Sequence, residues 1–193
     1  MDSHVHAPET FADRIEARTG VSVRRCYQCG KCSAGCPLSA DMDYPPSLIL
    51  RMLQTGNKDL EEKVLRSLTI WLCLTCETCV TRCPMEIDIP GLMDYLRSES
   101  LRQKKVNPKA KDILSFHKAF LDCIGKTGRL FEVGLITDYK MRTFHFFQDV
   151  LLAPKLYLKG KLHLLPELVK DRSAISRIFE KTIKNKQKSG ENP

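Results

Sequence analysis

The sequence predicts a mostly α-helical protein, and two kinds of observation lead to this prediction. Apolar side chains recur at helical spacing in several segments, while no segment alternates apolar and polar residues as a half-buried strand does. Residues that typically begin or end helices flank these segments. With 193 residues, of which 42% are hydrophobic and 28% charged, the chain has the composition of an ordinary globular protein.

Each predicted helix has its own start or stop signal. Thr10, followed three residues later by Asp13, is typical of a helix N-cap, and Gly20 of a helix end. Proline is tolerated in the first turn of a helix, which suits Pro45-Pro46 and Pro90. The predicted helices cover 11–18, a segment that opens at Pro45-Pro46 and stops at Gly56, 59–71, a segment after Asp88, and 110–124 before a break at 125–128. One face of the second helix carries Leu48, Ile49, Met52 and Leu53, and one face of the helix after Asp88 carries Leu92, Met93 and Leu96. Residues 103–112 are predicted to be a polar linker and residues 184–193 a loose tail.

Eight of the nine cysteines lie in two groups with the same spacing. Residues 26–37 are CYQCGKCSAGCP and residues 73–84 are CLTCETCVTRCP, so both follow the pattern C-x2-C-x2-C-x3-C-P. This spacing is typical of bacterial [4Fe–4S] sites, because one curled loop can place three thiolates at three corners of a cube. Structural zinc is the alternative, although zinc sites usually combine two separated pairs of ligands.

The fourth cysteine of each group is expected to bind the other cluster, as it does in two-cluster ferredoxins. Such sharing would bring the two clusters close together, which suits one-electron transfer. Gly30 and Gly35 of the first group are replaced by Glu77 and Arg82 in the second, so the two clusters are expected to differ in reduction potential. The expected ligands are Cys26, Cys29, Cys32 and Cys83 for cluster 1, and Cys73, Cys76, Cys79 and Cys36 for cluster 2.

No catalytic residues or further cofactor sites are expected. Cys123 lies in a predicted helix, where a buried structural side chain is the main interpretation and a reactive thiol the alternative. Gly125-Lys126-Thr127 resembles the end of a phosphate-binding loop, but position 120 is Phe where that loop needs glycine. No acid, base or nucleophile arranged for catalysis is visible.

The charge is distributed unevenly. Residues 1–100 contain 11 Lys and Arg against 14 Asp and Glu, whereas residues 101–193 contain 20 against 9. The basic part is interpreted as a solvated face or as a surface that docks onto an acidic partner subunit. Nucleic acid and lipid are not expected partners, because no groove-reading motif or lipidation site accompanies the charge.

The chain is expected to be cytoplasmic. No uncharged apolar run approaches the roughly 18 residues that a membrane span needs. Residues 1–10 contain no apolar stretch of the kind found in secretory signals. The odd total of nine cysteines, eight of them in two tight groups, also argues against a secreted disulfide scaffold.

The two cysteine groups are separated by enough chain for two helices, as in the α-helical ferredoxin domain rather than in the small β-hairpin ferredoxins. Over about residues 20–100, the chain resembles the C subunits of the heterodisulfide reductases of methanogenic archaea. The resemblance implies an α-helical ferredoxin domain over 1–102 with two [4Fe–4S] clusters. Residues 103–193 would be a basic helical extension packed on the first part and on partner subunits.

The resemblance also implies a function in methanogenesis. In that family, the C subunits pass electrons from the flavin-containing A subunits to the B subunits, which reduce the coenzyme M–coenzyme B heterodisulfide. The complexes are of the kind that carry out flavin-based electron bifurcation with a hydrogenase or a formate dehydrogenase. This chain has no adjacent cysteines, so the Cys-Cys-Gly domain that holds the reducing site would belong to a partner. The alternatives are a free or differently partnered 2[4Fe–4S] carrier and a zinc-stabilised interaction module.

Overall fold

A computed structural model describes residues 10–144, 153–160, 169 and 171–188. The regular structure of these residues is helical and contains no β-strand, which confirms the predicted fold class. The chain divides into two compact units, Met1–Ala110 and Lys111–Pro193. The helices are α1 Phe11–Thr19, α2 Lys31–Ala34, α3 Pro46–Gln54, α4 Lys58–Leu65, α5 Thr69–Leu72, α6 Thr78–Thr81, α7 Ile89–Arg102, α8 Lys111–Thr127, α9 Glu132–Thr143, α10 Ala153–Leu158 and α11 Arg172–Lys188.

The first unit consists of two halves with the same layout. Each half begins with a capped helix: Thr10 Oγ1 accepts a hydrogen bond from the Asp13 N–H before α1, and Asn57 Oδ1 accepts one from the Asp59 N–H before α4. A cysteine loop with a one-turn helix follows, α2 in the first half and α6 in the second. Each half then ends in a longer helix that begins near a proline, α3 or α7.

The core of the first unit lies between these longer helices and the capped ones. Helix α1 packs against α7 and α3, and α4 packs against α3 and α7. Burying these side chains supplies the main stabilising free energy of the unit. The fully buried residues of this core include Ile15, Ile49, Leu50, Leu53, Val64, Ile70, Ile89, Leu92, Met93 and Leu96.

The structure confirms the predicted starts of α1, α3 and α7. Thr10 and Asp13 form a reciprocal capping box, and Asp88 Oδ1 accepts a hydrogen bond from the Gly91 N–H at 2.9 Å. One prediction for α3 is wrong, because Leu48 is 40% exposed and the neighbouring Leu50 is buried instead.

The single helix predicted over 59–71 is also wrong, because the chain breaks it into α4 and α5. The Asp43 carboxylate accepts hydrogen bonds from the N–H groups of Leu68, at 2.7 Å, and Thr69, at 2.9 Å. It also accepts one from Thr69 Oγ1 at 2.6 Å. A carboxylate that takes the free N–H groups at a helix start favours a new helix there. The new helix α5 leads directly into Cys73.

In the described part of the second unit, α8, α9 and α11 surround a small core. Helix α8 packs against α9 and α11, and Ala119, Cys123 and Leu135 are buried. The break predicted at 125–128 is wrong up to Gly128, because α8 continues through Gly125 and ends at Thr127. The Phe179 ring of α11 packs beside Gly125. The predicted loose tail is wrong over 184–188, which belong to α11, and 189–193 lie outside the described residues.

Replacing Asp43 should destabilise the first unit. We expect Asp43→Ala to lower the free energy of unfolding by about 1 kcal/mol, because the first N–H groups of α5 lose their acceptor. The midpoint of thermal unfolding, measured without oxygen, should fall by roughly 2–4 °C. Asp41→Ala is the control, since Asp41 is a nearby exposed acid, and an equal fall in that variant would contradict the role of Asp43.

Candidate metal centre

The two cysteine loops share one backbone conformation. Gln28 and Gly30 in the first loop have φ angles of 63° and 75°, and Thr75 and Glu77 at the equivalent positions of the second have φ angles of 52° and 61°. Residues other than glycine seldom adopt this left-handed conformation, and they do so mainly where function requires it. Both loops therefore make the same tight curl.

The short helix after each curl carries the third cysteine of its group. Cys32 lies in α2 and Cys79 in α6, and these two helices pack together. The pKa of Cys79 is raised to about 11, mainly by burial and then by the negative charges of Cys73 and Cys32. The two cysteine groups are therefore neighbours in the structure.

One cavity brings together cysteines from both groups. Its lining includes the first three cysteines of the second group, Cys73, Cys76 and Cys79, and the fourth cysteine of the first group, Cys36. A [4Fe–4S] cluster binds four thiolates, and its reduction potential depends on its exposure to solvent. Four thiols around a mostly apolar cavity therefore suit such a cluster. The other lining residues are Pro37, Leu38, Met42, Pro46, Leu74, Thr78, Ile89, Pro90 and Met93.

Three of the cysteines expected at cluster 1 influence the pKa of Tyr27, which follows Cys26 in the first loop. The pKa of its hydroxyl is raised, first by partial loss of water, then by a hydrogen bond to Cys29 and by the charges of Cys29, Cys83 and Cys26. Cys32 is buried, which raises its pKa, and the charge of Cys26 raises it further. The side chain of Arg82, the residue before Cys83, lies against Gly35, so the fourth cysteine of the second group lies beside the first loop.

Each loop also presents an exposed cysteine and an exposed apolar side chain. Cys29 and Cys76 are both exposed. Tyr27 is 57% exposed and Leu74, at the equivalent position of the second loop, is 61% exposed. Both cysteine groups are therefore accessible from solvent at one point.

Hydrogen bonds favour the thiolate form of the exposed cysteines. The N–H of Lys31 lowers the pKa of Cys29, and the side chain and N–H of Thr78 lower the pKa of Cys76. Cys73, in contrast, is partly buried, and this loss of water raises its pKa. Iron binds the deprotonated thiolate, so cluster binding releases protons. The free energy of iron binding has to exceed the cost of deprotonating the thiols whose pKa is raised by burial.

Within the described ranges, no group of three or more His, Cys, Asp or Glu side chains is arranged to hold a single metal ion. The ligands of one zinc ion converge to about 2.3 Å from it. The thiolates of a cubic cluster bind four separate iron atoms and stand farther apart. The arrangement of cysteines around the cavity is compatible with the cluster.

Two side chains that the sequence analysis missed hold the cysteine loops in place. Gln54 at the end of α3 donates a hydrogen bond from Nε2 to the carbonyl oxygen of Cys26 at 2.6 Å. Arg97 on α7 donates one from Nη2 to the carbonyl oxygen of Cys73 at 2.5 Å. The local sequence around these two residues carries no motif, so only the structure reveals them.

The ninth cysteine lies apart from these groups. Cys123 is 9% exposed in the core of the second unit, which confirms the prediction that it is buried, and its Sγ accepts a hydrogen bond from the Phe131 N–H at 3.3 Å. Gly125, Lys126 and Thr127 lie inside α8 and form no phosphate-binding loop.

Comparison with known proteins agrees with the cysteine geometry. The 4Fe–4S dicluster domain family matches residues 22–87, a segment that contains both cysteine groups. The chain binds two [4Fe–4S] clusters.

Curated relatives extend the comparison. The chain is 44% identical over 84 residues to the iron–sulfur C subunit of the CoB–CoM heterodisulfide reductase of Methanopyrus kandleri, covering 44% of this chain and 42% of that protein. It is 32% identical over 106 residues to the C subunit of the H2:CoB–CoM heterodisulfide,ferredoxin reductase of Methanothermobacter marburgensis, covering 55% and 56%. The chain is a relative of the heterodisulfide reductase C subunits.

Other relatives carry related names. The C subunit of the Ferredoxin:CoB–CoM heterodisulfide reductase of Methanosarcina acetivorans is 30% identical over 95 residues, covering 49% of this chain and 37% of that protein. The chain spans about half the length of the curated relatives it matches. Among the helices of its described residues, none is both long enough and apolar enough to cross a bilayer.

Replacing single cysteines should reveal which thiols share a cluster. We expect Cys36→Ala and Cys76→Ala to abolish or convert the same electron paramagnetic resonance signal, because their thiols line one cavity. Cys83→Ala should affect the other signal. Each variant should lose at least one of the about four irons of one cluster.

Cys123→Ala is the control for these variants and should retain both signals and all of the iron. If Cys36→Ala instead perturbs the signal that Cys29→Ala perturbs, the shared cavity does not reflect the ligand set of the bound cluster.

Proposed function

We propose that this chain is the electron-transfer subunit of a heterodisulfide reductase complex. In this proposal it relays electrons from a flavin-containing subunit to the subunit that reduces the coenzyme M–coenzyme B heterodisulfide. The observation that carries the proposal is the arrangement of the first unit, where two adjacent thiol groups each have one exposed cysteine, Cys29 and Cys76. One exposed loop serves for electron entry and the other for exit.

The proposed ligand sets are crosswise. Cys26, Cys29, Cys32 and Cys83 hold cluster 1, and Cys73, Cys76, Cys79 and Cys36 hold cluster 2. The cavity that contains Cys36 and the position of Cys83 beside the first loop support this assignment. The clusters supply reversible one-electron storage, while the protein positions their ligands, keeps water from the buried thiols and presents the exposed loops.

The electron count requires two successive transfers. Reduction of one disulfide to two thiols consumes two electrons and two protons. Each electron that enters this chain leaves it again, so the chain is unchanged after the reaction and supplies neither the protons nor the reducing site. We therefore propose that it has no active site of its own.

The proposed partners are the flavin-containing A subunit and the disulfide-reducing B subunit of the heterodisulfide reductase. Relatives of this chain have names that include H2, H2/formate or ferredoxin. We infer that the electron donor is determined by other chains of the complex, among them a hydrogenase or a formate dehydrogenase. We place the complex in the cytoplasm, because clusters bound by free thiolates suit a reducing compartment.

Loss of either cluster should stop electron flow. We expect Cys29→Ala and Cys76→Ala, each assembled in the complete complex, to abolish heterodisulfide reduction by the physiological donor, because each variant interrupts the relay at a different point. The measurement is thiol formation under strict exclusion of oxygen. Cys123→Ala should retain activity. Continued turnover in a variant shown to lack one cluster would disprove the relay.

Purification from native cells separates the complex subunit from a free carrier. A tagged chain should copurify with one flavin-containing chain and with one chain that contains Cys-Cys-Gly motifs. Migration as a lone monomer that still holds about eight irons would favour the diffusible ferredoxin instead. Zinc in place of iron in the freshly isolated protein would favour the interaction module.

A further inference from the structure

The two cysteine loops are held by side chains at equivalent places in the two halves. Gln54 Nε2 donates hydrogen bonds to the carbonyl oxygens of Val23, at 3.0 Å, and Cys26, at 2.6 Å. These carbonyls belong to the first cysteine of the group and to the residue three positions before it. Gln54 thereby fixes the entry of the chain into the first loop.

Arg97 makes the same pair of contacts in the second half. Its Nε donates to the carbonyl oxygen of Ile70, and its Nη2 donates to that of Cys73. Ile70 precedes Cys73 by three positions, as Val23 precedes Cys26, and both apolar side chains are buried. The two contacts therefore have the same geometric function and differ in charge, because an amide is neutral and a guanidinium is always cationic.

The charge of Arg97 is held in a sheltered place. Its side chain is 20% exposed, and the two carbonyl contacts fix the guanidinium beside the second loop. Asp94 pairs with Nη1 at 2.7 Å, but the Asp94 side chain is 62% exposed, so water screens its compensating charge.

Other charged side chains near the cysteine loops are exposed to solvent. Lys31 lies two residues after Cys29 and Glu77 directly after Cys76, and both side chains are exposed. Arg82 is also exposed, and its side chain lies against Gly35 of the first loop. Solvent and salt screen such charges more strongly than a sheltered one.

We propose that Arg97 is a positioning residue that raises the reduction potential of cluster 2 above the value that a neutral side chain such as Gln54 would give. A reduced cluster carries one more negative charge, which a nearby fixed cation stabilises. Electrons then pass from cluster 1 to cluster 2. The direction of electron transfer rests on the proposed relay, whereas the effect of Arg97 on the reduction potential of cluster 2 does not depend on it.

Arg97→Gln tests the charge while keeping a hydrogen-bond donor of the kind that Gln54 supplies. We expect the potential of cluster 2 to shift to a lower value and that of cluster 1 to stay unchanged. The measurement is a potentiometric titration of the cluster-loaded chain followed by electron paramagnetic resonance, with the two signals assigned from the Cys36→Ala and Cys83→Ala variants.

Arg102→Gln is the matched control on the same helix. The Arg102 guanidinium pairs with the Glu99 carboxylate rather than with the backbone of a cysteine loop, so neither potential should move. Arg97→Lys keeps the positive charge, and cluster 2 should retain a potential closer to that of the native chain than Arg97→Gln does.

Asp94→Asn provides a second measurement if Arg97→Gln loses iron. Removing the negative partner of Arg97 should shift the potential of cluster 2 to a higher value, with iron content unchanged. This shift should be smaller than the one in Arg97→Gln, because water already screens part of the Asp94 charge. An unchanged potential of cluster 2 in Asp94→Asn and in iron-replete Arg97→Gln would overturn the proposal. If the proposed relay is disproved, for example because the chain is isolated as a free monomer, the same shifts in potential are still expected.

Discussion

Bringing several thiolates to one place is the constraint on which the first unit depends. Like charges repel, and burial makes each thiolate less stable, as the raised pKa values of Cys73 and Cys79 indicate. Iron removes this penalty when the clusters bind, but the backbone has to hold the loops in their strained curl. The capped helices that precede the loops and the contacts of Gln54 and Arg97 hold the start of each loop at a position set by the core.

The sequence predicts those parts of this structure that depend on local spacing. Three cysteines at intervals of three residues define a cluster loop without knowledge of the fold, and a cap such as Thr10 or Asp88 acts within its own helix. The break between α4 and α5 could not be predicted in this way, because it comes from Asp43, far away along the chain. The local sequence likewise does not predict the continuation of α8 through Gly125, beside which the Phe179 ring of α11 packs.

The structural repeat is larger than the sequence repeat. In the sequence only the cysteine groups are visibly similar, whereas in the structure α1 corresponds to α4 and α3 to α7. The cluster requires particular ligands at particular spacing, but a packed helix requires only apolar residues of suitable size on one face. Sequence similarity therefore persists at the thiols and disappears in the helices, where Gln54 and Arg97 occupy equivalent positions with different charges.

The cavity around Cys36 has a consequence for the origin of such a protein. Its wall combines Cys36 and Met42 from the first half with Cys73 and Met93 from the second, so neither half encloses a complete cavity. If the two halves arose by duplication of a shorter gene, the ancestral product would have had to associate with a second copy of itself, as a symmetric homodimer. Fusion of the two copies in one chain would then have let each half change separately, as the difference between Gln54 and Arg97 illustrates.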